Sequence, residues 1–471
     1  MAEHNDIDER NQSLSDTFEN SAEEDNYTVS DDFIRRLIDH LNNDHTDELR
    51  ELCLPLPPAD IAEIISKIGV EKSLVLIDAM GADLQPDAYV YLDSNIMTDL
   101  FARMEDLEVA MILNQLESDD ALNLIEDLDE DFQQQILKSL SKSMRAAIEE
   151  GLTFPEDSAG RLMQRSMIAV PQFWTVGKTI DFLRASKDIP DNFYDVIVVD
   201  PMHHVVGEVP VGRILRAARG TKIEDLALEN AHAVRASVDQ EEVAFLFRRE
   251  GLVSAPVIND DNRLIGVITV DDIVDVIDEE AEEDFLKIGG IANIDIYRPV
   301  WDTTKSRFFW LCLNMLTAIA ASIVIGLFEA TLERVVALAI LMPIVASMGG
   351  NAGTQALTVA VRALATKDLS STNAWRIIGK EALVGTLNGV SFAMISGVVA
   401  WLWFDDILLG LVIGFAMVIN LMVAGLSGAS IPIILDRYGL DPALSSSIFL
   451  TTITDIIGFF AFLGLAALVL L

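Results

Sequence analysis

The sequence predicts a multi-domain protein: a soluble half, α-helical at first and α/β after it, followed by an all-α polytopic membrane domain with five transmembrane helices. Three observations predict this. Charge divides near Trp301. Residues 301–471 hold eight Lys/Arg and ten Asp/Glu, so 25 of the chain's 33 basic and 64 of its 74 acidic residues lie before them. That second part contains five apolar stretches, at 307–328, 335–364, 382–404, 407–435 and 442–471, each long enough to cross a bilayer. A weak internal repeat of apolar strands, polar turns and helices occupies residues 159–280.

Residues 1–30 (EHNDIDER, SAEEDN) are polar and acidic and are expected to be disordered. Over 31–152 apolar residues recur three and four apart, as in Phe33, Ile34, Leu37 and Leu41, then Ala121, Leu122, Leu124, Ile125 and Leu128. That spacing predicts a bundle of amphipathic helices with acidic outer faces. The two repeat copies span 159–220 and 221–280. Each is expected to hold a helix (TIDFLRAS or EEVAFLFRRE), a strand, a polar turn, a second strand after Gly207 or Gly266, and a closing helix. A connecting helix over 281–303 leads into the membrane domain at 304–471.

So large an acidic excess excludes nucleic acid as a partner, because no basic surface remains to neutralise phosphates. It favours cations. Cys53 and Cys312 lie in different halves, which excludes a disulfide framework and a cysteine-based zinc site. The acidic N-terminus lacks the apolar core of a signal peptide, so the soluble half is expected in the cytoplasm. The basic residues Lys305, Arg307, Arg362, Lys367, Arg376, Lys380 and Arg437 all fall on that side of the membrane, which places the C-terminus outside.

Asp455 is the sole charge between Pro442 and Leu471, and helical rise puts it roughly 20 Å into a hydrocarbon core about 30 Å thick. A charge there costs about 3 kcal/mol even on insertion scales, so it lines an ion path or partners a polar group. The alternative is a protonated Asp455 bonded to Thr451, Thr452 or Thr454. The second apolar stretch contains PIVASMGGNAGTQ, residues 343–355. Its Gly349 and Gly353 permit close helix approach, while Asn351, Thr354 and Gln355 offer uncharged oxygens at membrane depth. Helix-to-helix bonding would also explain them. The two stretches together offer oxygen without sulfur or imidazole, which suits a hard cation.

A third candidate is DDIVDVIDEEAEEDFLKIGG, residues 271–290. On a helix Asp272, Asp275, Glu279, Glu282 and Glu283 share one face, with Ile273, Val276, Ile277 and Phe285 largely opposite. Stacked carboxylates repel unless a cation lies among them, though a solvated acidic face has the same pattern. His203 and His204 fall in a turn with no nucleophile beside them, so an enzyme is the least favoured class.

The repeat resembles a tandem pair of CBS domains, a regulatory module. Gly266-Val-Ile-Thr269-Val-Asp271 is similar to that family's nucleotide-binding turn, with its acidic residue one place early, and the first copy has Pro210 at the Thr position. The nucleotide-contact set so implied is Pro256, Thr269 and Asp271, with ATP as the nucleotide. The order of domains, the run PIVASMGGNAGTQALTVAVRALA and the later TTITDIIG closely resemble the MgtE family of magnesium channels over residues 31–471. The resemblance implies a superhelical N domain, a connecting "plug" helix, and a homodimer in a bacterial inner membrane with a pore between its membrane domains. It implies Asp455 as the pore carboxylate, with Asn351, Gly350, Thr354 and Thr451 beside it. It implies regulatory magnesium at Asp239, Glu241, Asp272, Asp275, Glu280, Glu283 and Asp284, favouring Glu280 and Asp284 over Glu279, and points to the run Asp119, Asp120, Glu126, Asp127 in the helical domain. A transporter of manganese or cobalt, and a sensor that conducts nothing, are the competing functions.

Overall fold

The computed structural model describes residues 29–43, 45–186, 189–190, 192–228, 232–291, 300–369 and 372–471. The expected disordered tail lies outside them except for Val29 and Ser30. The chain forms two compact units, residues 1–274 and 275–471.

The first unit begins with α1 (Asp31–Asn42), α2 (Thr46–Cys53), α3 (Pro58–Ile68), α4 (Val70–Met80), α5 (Ser94–Phe101), α6 (Asp106–Leu113), α7 (Ser118–Glu126), α8 (Glu130–Ser139) and α9 (Lys142–Gly151). Each is short and depends on packing one apolar face. Ile34, Leu37 and Leu41 on α1 are buried, as are Ala121, Leu122, Leu124 and Ile125 on α7, and all of these but Ile34 join one continuous core. Ser30 caps α1 by accepting from the Phe33 amide. Acidic residues occupy the first turns of α1 and α7, where the helix dipole favours negative charge.

The repeat follows: α10 (Ala159–Leu162), β1 (Ala169–Pro171), α11 (Val176–Ala185), β2 (Asp195–Val199), β3 (Val205–Pro210) and α12 (Val211–Arg216), then β4 (Val234–Arg235), α13 (Gln240–Glu250), β5 (Ser254–Ile258), β6 (Leu264–Thr269) and α14 (Val270–Ile288). The two sheets share a topology, β1-β2-β3 and β4-β5-β6, each with a parallel pair, an antiparallel pair and an irregularity after the fourth residue of the middle strand. Ile197 and Val199 pack with Leu264 and Val267, and Ser254 Oγ donates to Asp195 Oδ2 at 2.7 Å, joining the copies. Gly207 and Gly266 lie inside β3 and β6 and do not precede them as expected. Their reason is crowding: a Cβ at Gly207 would lie 2.8 Å from Ala227 Cβ, and one at Gly266 would lie 2.7 Å from Met163 Sδ.

The connecting helix also departs from expectation. α14 starts at Val270, not at 281, because nothing between β6 and Gly289 interrupts it; it stops at Gly289-Gly290, where Gly290 has φ +73°. Residues 292–299 lie outside the described ones, and Val300 already belongs to the next helix. Ile273 and Val276 are buried as expected, but Ile277 and Phe285 are exposed.

The second unit contains α15 (Val300–Gly326), α16 (Glu329–Arg334), α17 (Ala337–Ala365), α18 (Ala374–Phe404), α19 (Ile407–Arg437) and α20 (Pro442–Val469). Five of these are long and apolar enough to cross a membrane. α15 and α18 start seven and eight residues before the apolar stretches at 307 and 382, because a helix continues past the hydrocarbon edge into polar residues. The short α16 has no apolar signature and was not expected. α19 is the central helix, with 56% of its most apolar window buried against 6% for α15.

Candidate functional site

Two sets of carboxylates stand out, one in each unit. In the membrane unit, α17 and α20 meet where a Cβ at Gly353 would lie 2.7 Å from Leu450 Cδ1. Asn351, Thr354, Gln355 and Thr358 recur three and four apart on α17, and all are exposed. On α20 Thr451 is exposed, and Asp455, one turn on, is half-buried. The threonine hydroxyls are committed elsewhere. Thr451 donates to the Ser447 carbonyl at 2.9 Å, Thr452 to Ile448 at 2.7 Å and Thr454 to Leu450 at 3.0 Å. None donates to Asp455, so the local helix does not supply the hydroxyl donors of the alternative reading. A polar stripe at membrane depth, open on the surface of a single chain, requires water or another polar surface against it.

Behind that stripe lies a residue the sequence reading missed. Asn420 on α19 is fully buried, and its Nδ2 donates to the Val345 carbonyl at 2.8 Å while Oδ1 has no partner among the described residues. Gly349 and Gly458 make room for it, since a Cβ at either would lie within 3.0 Å of the amide. Its signal was present as the sole amide in the fourth apolar stretch.

In the soluble unit the expected residues divide. Asp119 and Asp120, on the first turn of α7, face Asp272 on α14. Asp119 is 7% exposed, and beyond its own backbone amide neither carboxylate oxygen has a hydrogen-bond partner among the described residues. Burial first, then the charges of Asp272, Asp120 and Glu117, hold its carboxyl well above the usual range. Burial and Asp272 push Asp120 up to about 7. Burial raises Asp272 to about 6, although the Thr269 hydroxyl, which donates to its Oδ2 at 2.8 Å, works against this. Glu117, Asp271 and Asp87 add further negative charge. Asp87 escaped the sequence reading because nothing in a linear pattern links the turn Pro86–Tyr89 to α7, whereas Glu117 directly precedes α7 and was legible there. The donor set is entirely carboxylate oxygen, and two of those oxygens are buried with no proton donor among the described residues beyond that amide, which fits a hard divalent cation.

Other expected residues lie apart from this cluster. Glu126 pairs with Arg161, and Asp127 is exposed. Asp239 caps α13 by accepting from the Glu241 amide at 2.9 Å. In the second unit Lys287 pairs with Glu283 and, at 2.8 Å, with Asp441, beside Asp284. That end of α14 already carries its own cation. Ile288 packs on a cluster of Leu357, Val361, Ile431, Leu435, Ala443 and Leu450.

Of the nucleotide set, Thr269 is buried and bonded to Asp272 and Gln164, Pro256 is buried inside β5, and Asp271 is exposed. A cavity of about 700 Å³ lies against Arg165, Phe182, Ser186 and His203.

Comparison with known proteins gives a consistent result. A family model described as a divalent cation transporter matches residues 342–465, an MgtE intracellular N domain model matches 56–157, and a CBS domain model matches 223–279. A protein named magnesium transporter MgtE from Thermus thermophilus is 34% identical over 356 residues, covering 74% of this chain and 78% of that one. One of the same name from Bacillus subtilis is 29% identical over 437 residues, covering 93% and 97%. A solved cytosolic domain of the Mg2+ channel MgtE in complex with ATP is 25% identical, covers 52% of this chain and 99% of that one, and has a TM-score of 0.49.

Proposed function

The chain belongs to the MgtE family, and from that premise we propose that it carries Mg2+ across the membrane through a path lined by Asp455 and is closed by Mg2+ bound at its cytoplasmic acidic cluster. The observation that carries this is the half-buried Asp455 on an exposed polar stripe at membrane depth. Magnesium sheds water reluctantly, so a path suited to it holds the hydrated ion by carboxylate, amide and hydroxyl oxygens. Asp455, Asn351, Thr354, Thr451 and the Gly350 backbone supply these. A second copy placed across a two-fold axis would oppose one Asp455 to another as a negative ring, and would cover the stripe that one chain leaves open. The homodimer is part of the proposal, as are a bacterial inner membrane, cytoplasmic N-terminal domains and an external C-terminus.

The regulatory step follows from the cluster. Asp119, Asp120 and Asp272 repel one another when ionised. A magnesium ion held there would supply the compensating charge and favour the arrangement in which α7 and α14 stay together. Only an ion that binds this arrangement better than the separated one can shift the equilibrium. Asp239, Glu241, Asp275, Glu280, Glu283 and Asp284 are proposed as contributors to other regulatory sites. A nucleotide such as ATP is proposed at the repeat, with Pro256, Thr269 and Asp271 or the cavity at Arg165 and His203 as its place.

Purified protein in liposomes tests the proposal, with magnesium uptake measured alone and against manganese and cobalt. Asp455→Ala is expected to abolish uptake with expression and dimerisation intact. Unchanged uptake would overturn the pore assignment, and preference for manganese or cobalt would replace the substrate.

A further inference from the structure

The junction of α1 and α2 carries a group of side chains that neither the pore nor the acidic cluster uses. His40 lies in the last turn of α1, His45 is the residue before α2, and Glu48 stands three residues further on. The turn between the helices is held by the His40 carbonyl, which accepts from the Asn43 and His45 amides at 3.2 Å each. This brings the two imidazoles together at a 50° tilt, with ring centroids 5.7 Å apart. His40 Nδ1 lies 3.0 Å and His45 Nδ1 2.9 Å from the same oxygen, Glu48 Oε2. All three ligand atoms fall within 4.8 Å of one another.

We propose that His40, His45 and Glu48 form a second kind of metal site, selective for a borderline divalent transition ion such as zinc or cobalt and indifferent to magnesium. Geometry and chemistry both support this. His40 Nδ1 is buried and makes no hydrogen bond, despite the carboxylate oxygen 3.0 Å away. A nitrogen and a carboxylate oxygen this close without a hydrogen bond between them are spaced as two lone-pair donors to a shared ion would be. Bond lengths of 2.0–2.1 Å at a tetrahedral centre put neighbouring ligands about 3.3 Å apart, near the separations seen here. Two imidazoles and one carboxylate leave a further position for water. Imidazole nitrogen favours zinc, cobalt, nickel and copper, whereas magnesium requires oxygen. The site therefore differs in kind from the all-carboxylate cluster at Asp119 and Asp272, and it does not depend on the transport reading.

Cobalt(II) absorption of the full-length protein in detergent, free of any affinity tag and in millimolar magnesium to occupy the oxygen sites, is the test. The expected result is one cobalt per chain with visible d–d bands, displaced by zinc and unaffected by further magnesium. His45→Gln and Glu48→Gln alter exposed side chains and should leave folding intact by circular dichroism, while each lowers cobalt affinity by about 100-fold or more. His40→Gln should do the same. Bands that persist in all three variants, bands displaced by magnesium, or absence of cobalt binding would each overturn the site. Magnesium uptake by His45→Gln, expected unchanged, separates this result from failure of the transport proposal.

Discussion

Around Asp272 several carboxylates crowd together where the helical domain meets the repeat, whereas Asp455 is the one charge in a 30-residue apolar segment. Both are carboxylates removed from bulk water, but their costs differ in origin. At Asp455 the cost is desolvation of one charge, and it is met by leaving the residue half-buried on an exposed polar stripe. At Asp119 the cost is desolvation together with repulsion from Asp272, Asp120 and Glu117, and among the described residues only its own backbone amide works against it. The first arrangement suits an ion that passes. The second suits an ion that stays, since the gain from binding it equals the repulsion it removes.

The sharpest way to break this contrast is at Asp455. Asp455→Asn keeps the shape and removes the charge; it should abolish magnesium uptake into liposomes while leaving the thermal midpoint unchanged or higher, because a buried charge is lost. Next comes Asp119→Asn with Asp272→Asn. These should retain transport but remove its dependence on cytoplasmic magnesium, a coupling of about 1–3 kcal/mol, read from uptake at graded internal magnesium. A variant still inhibited by magnesium would show that the ion acts elsewhere.

A pH series sharpens the comparison further. An unfolded carboxyl titrates near 4, while folded Asp272 and Asp120 titrate at about 6 and about 7. Between pH 4 and 7 the folded protein holds more protons, so this cluster's contribution to stability falls as pH rises through that window. In chelator the melting temperature of the soluble unit should decline from pH 5 to 8, and magnesium should restore it most at pH 8. A flat profile in chelator would remove the cluster from the account. The smallest effect on regulation is expected at Glu126→Gln, which breaks a pair with the largely buried Arg161 outside the cluster; it should lower the melting temperature and leave the magnesium response unaltered.

The architecture was largely legible in the sequence, because each element announces itself locally. Three- and four-residue spacing marked α1 and α7, the repeat marked two sheets of equal topology, and uninterrupted apolar length marked the membrane helices. What escaped depended on partners distant in sequence. Asp87 joins Asp120 only through folding, and the pairing of Lys287 with Asp441 spans more than 150 residues. Asn420 was visible as a lone amide, but its role required Gly349 and Gly458 to arrive on either side of it. Thr269 was read from a turn motif, and the fold commits its hydroxyl to Asp272.

By itself, then, the sequence determined most of the helical segments, the five long and apolar enough to cross a membrane, and that one carboxylate lies within the last of them. These follow from hydrophobic period, length and charge, which act over a few residues at a time. Only the tertiary structure decided which carboxylates confront one another. Asp119, Asp120, Glu126 and Asp127 are chemically alike along the chain, yet the first two meet Asp272, Glu126 meets Arg161 and Asp127 faces solvent. Coulombic repulsion and desolvation depend on distance and burial in space, and neither quantity exists until the helices have packed.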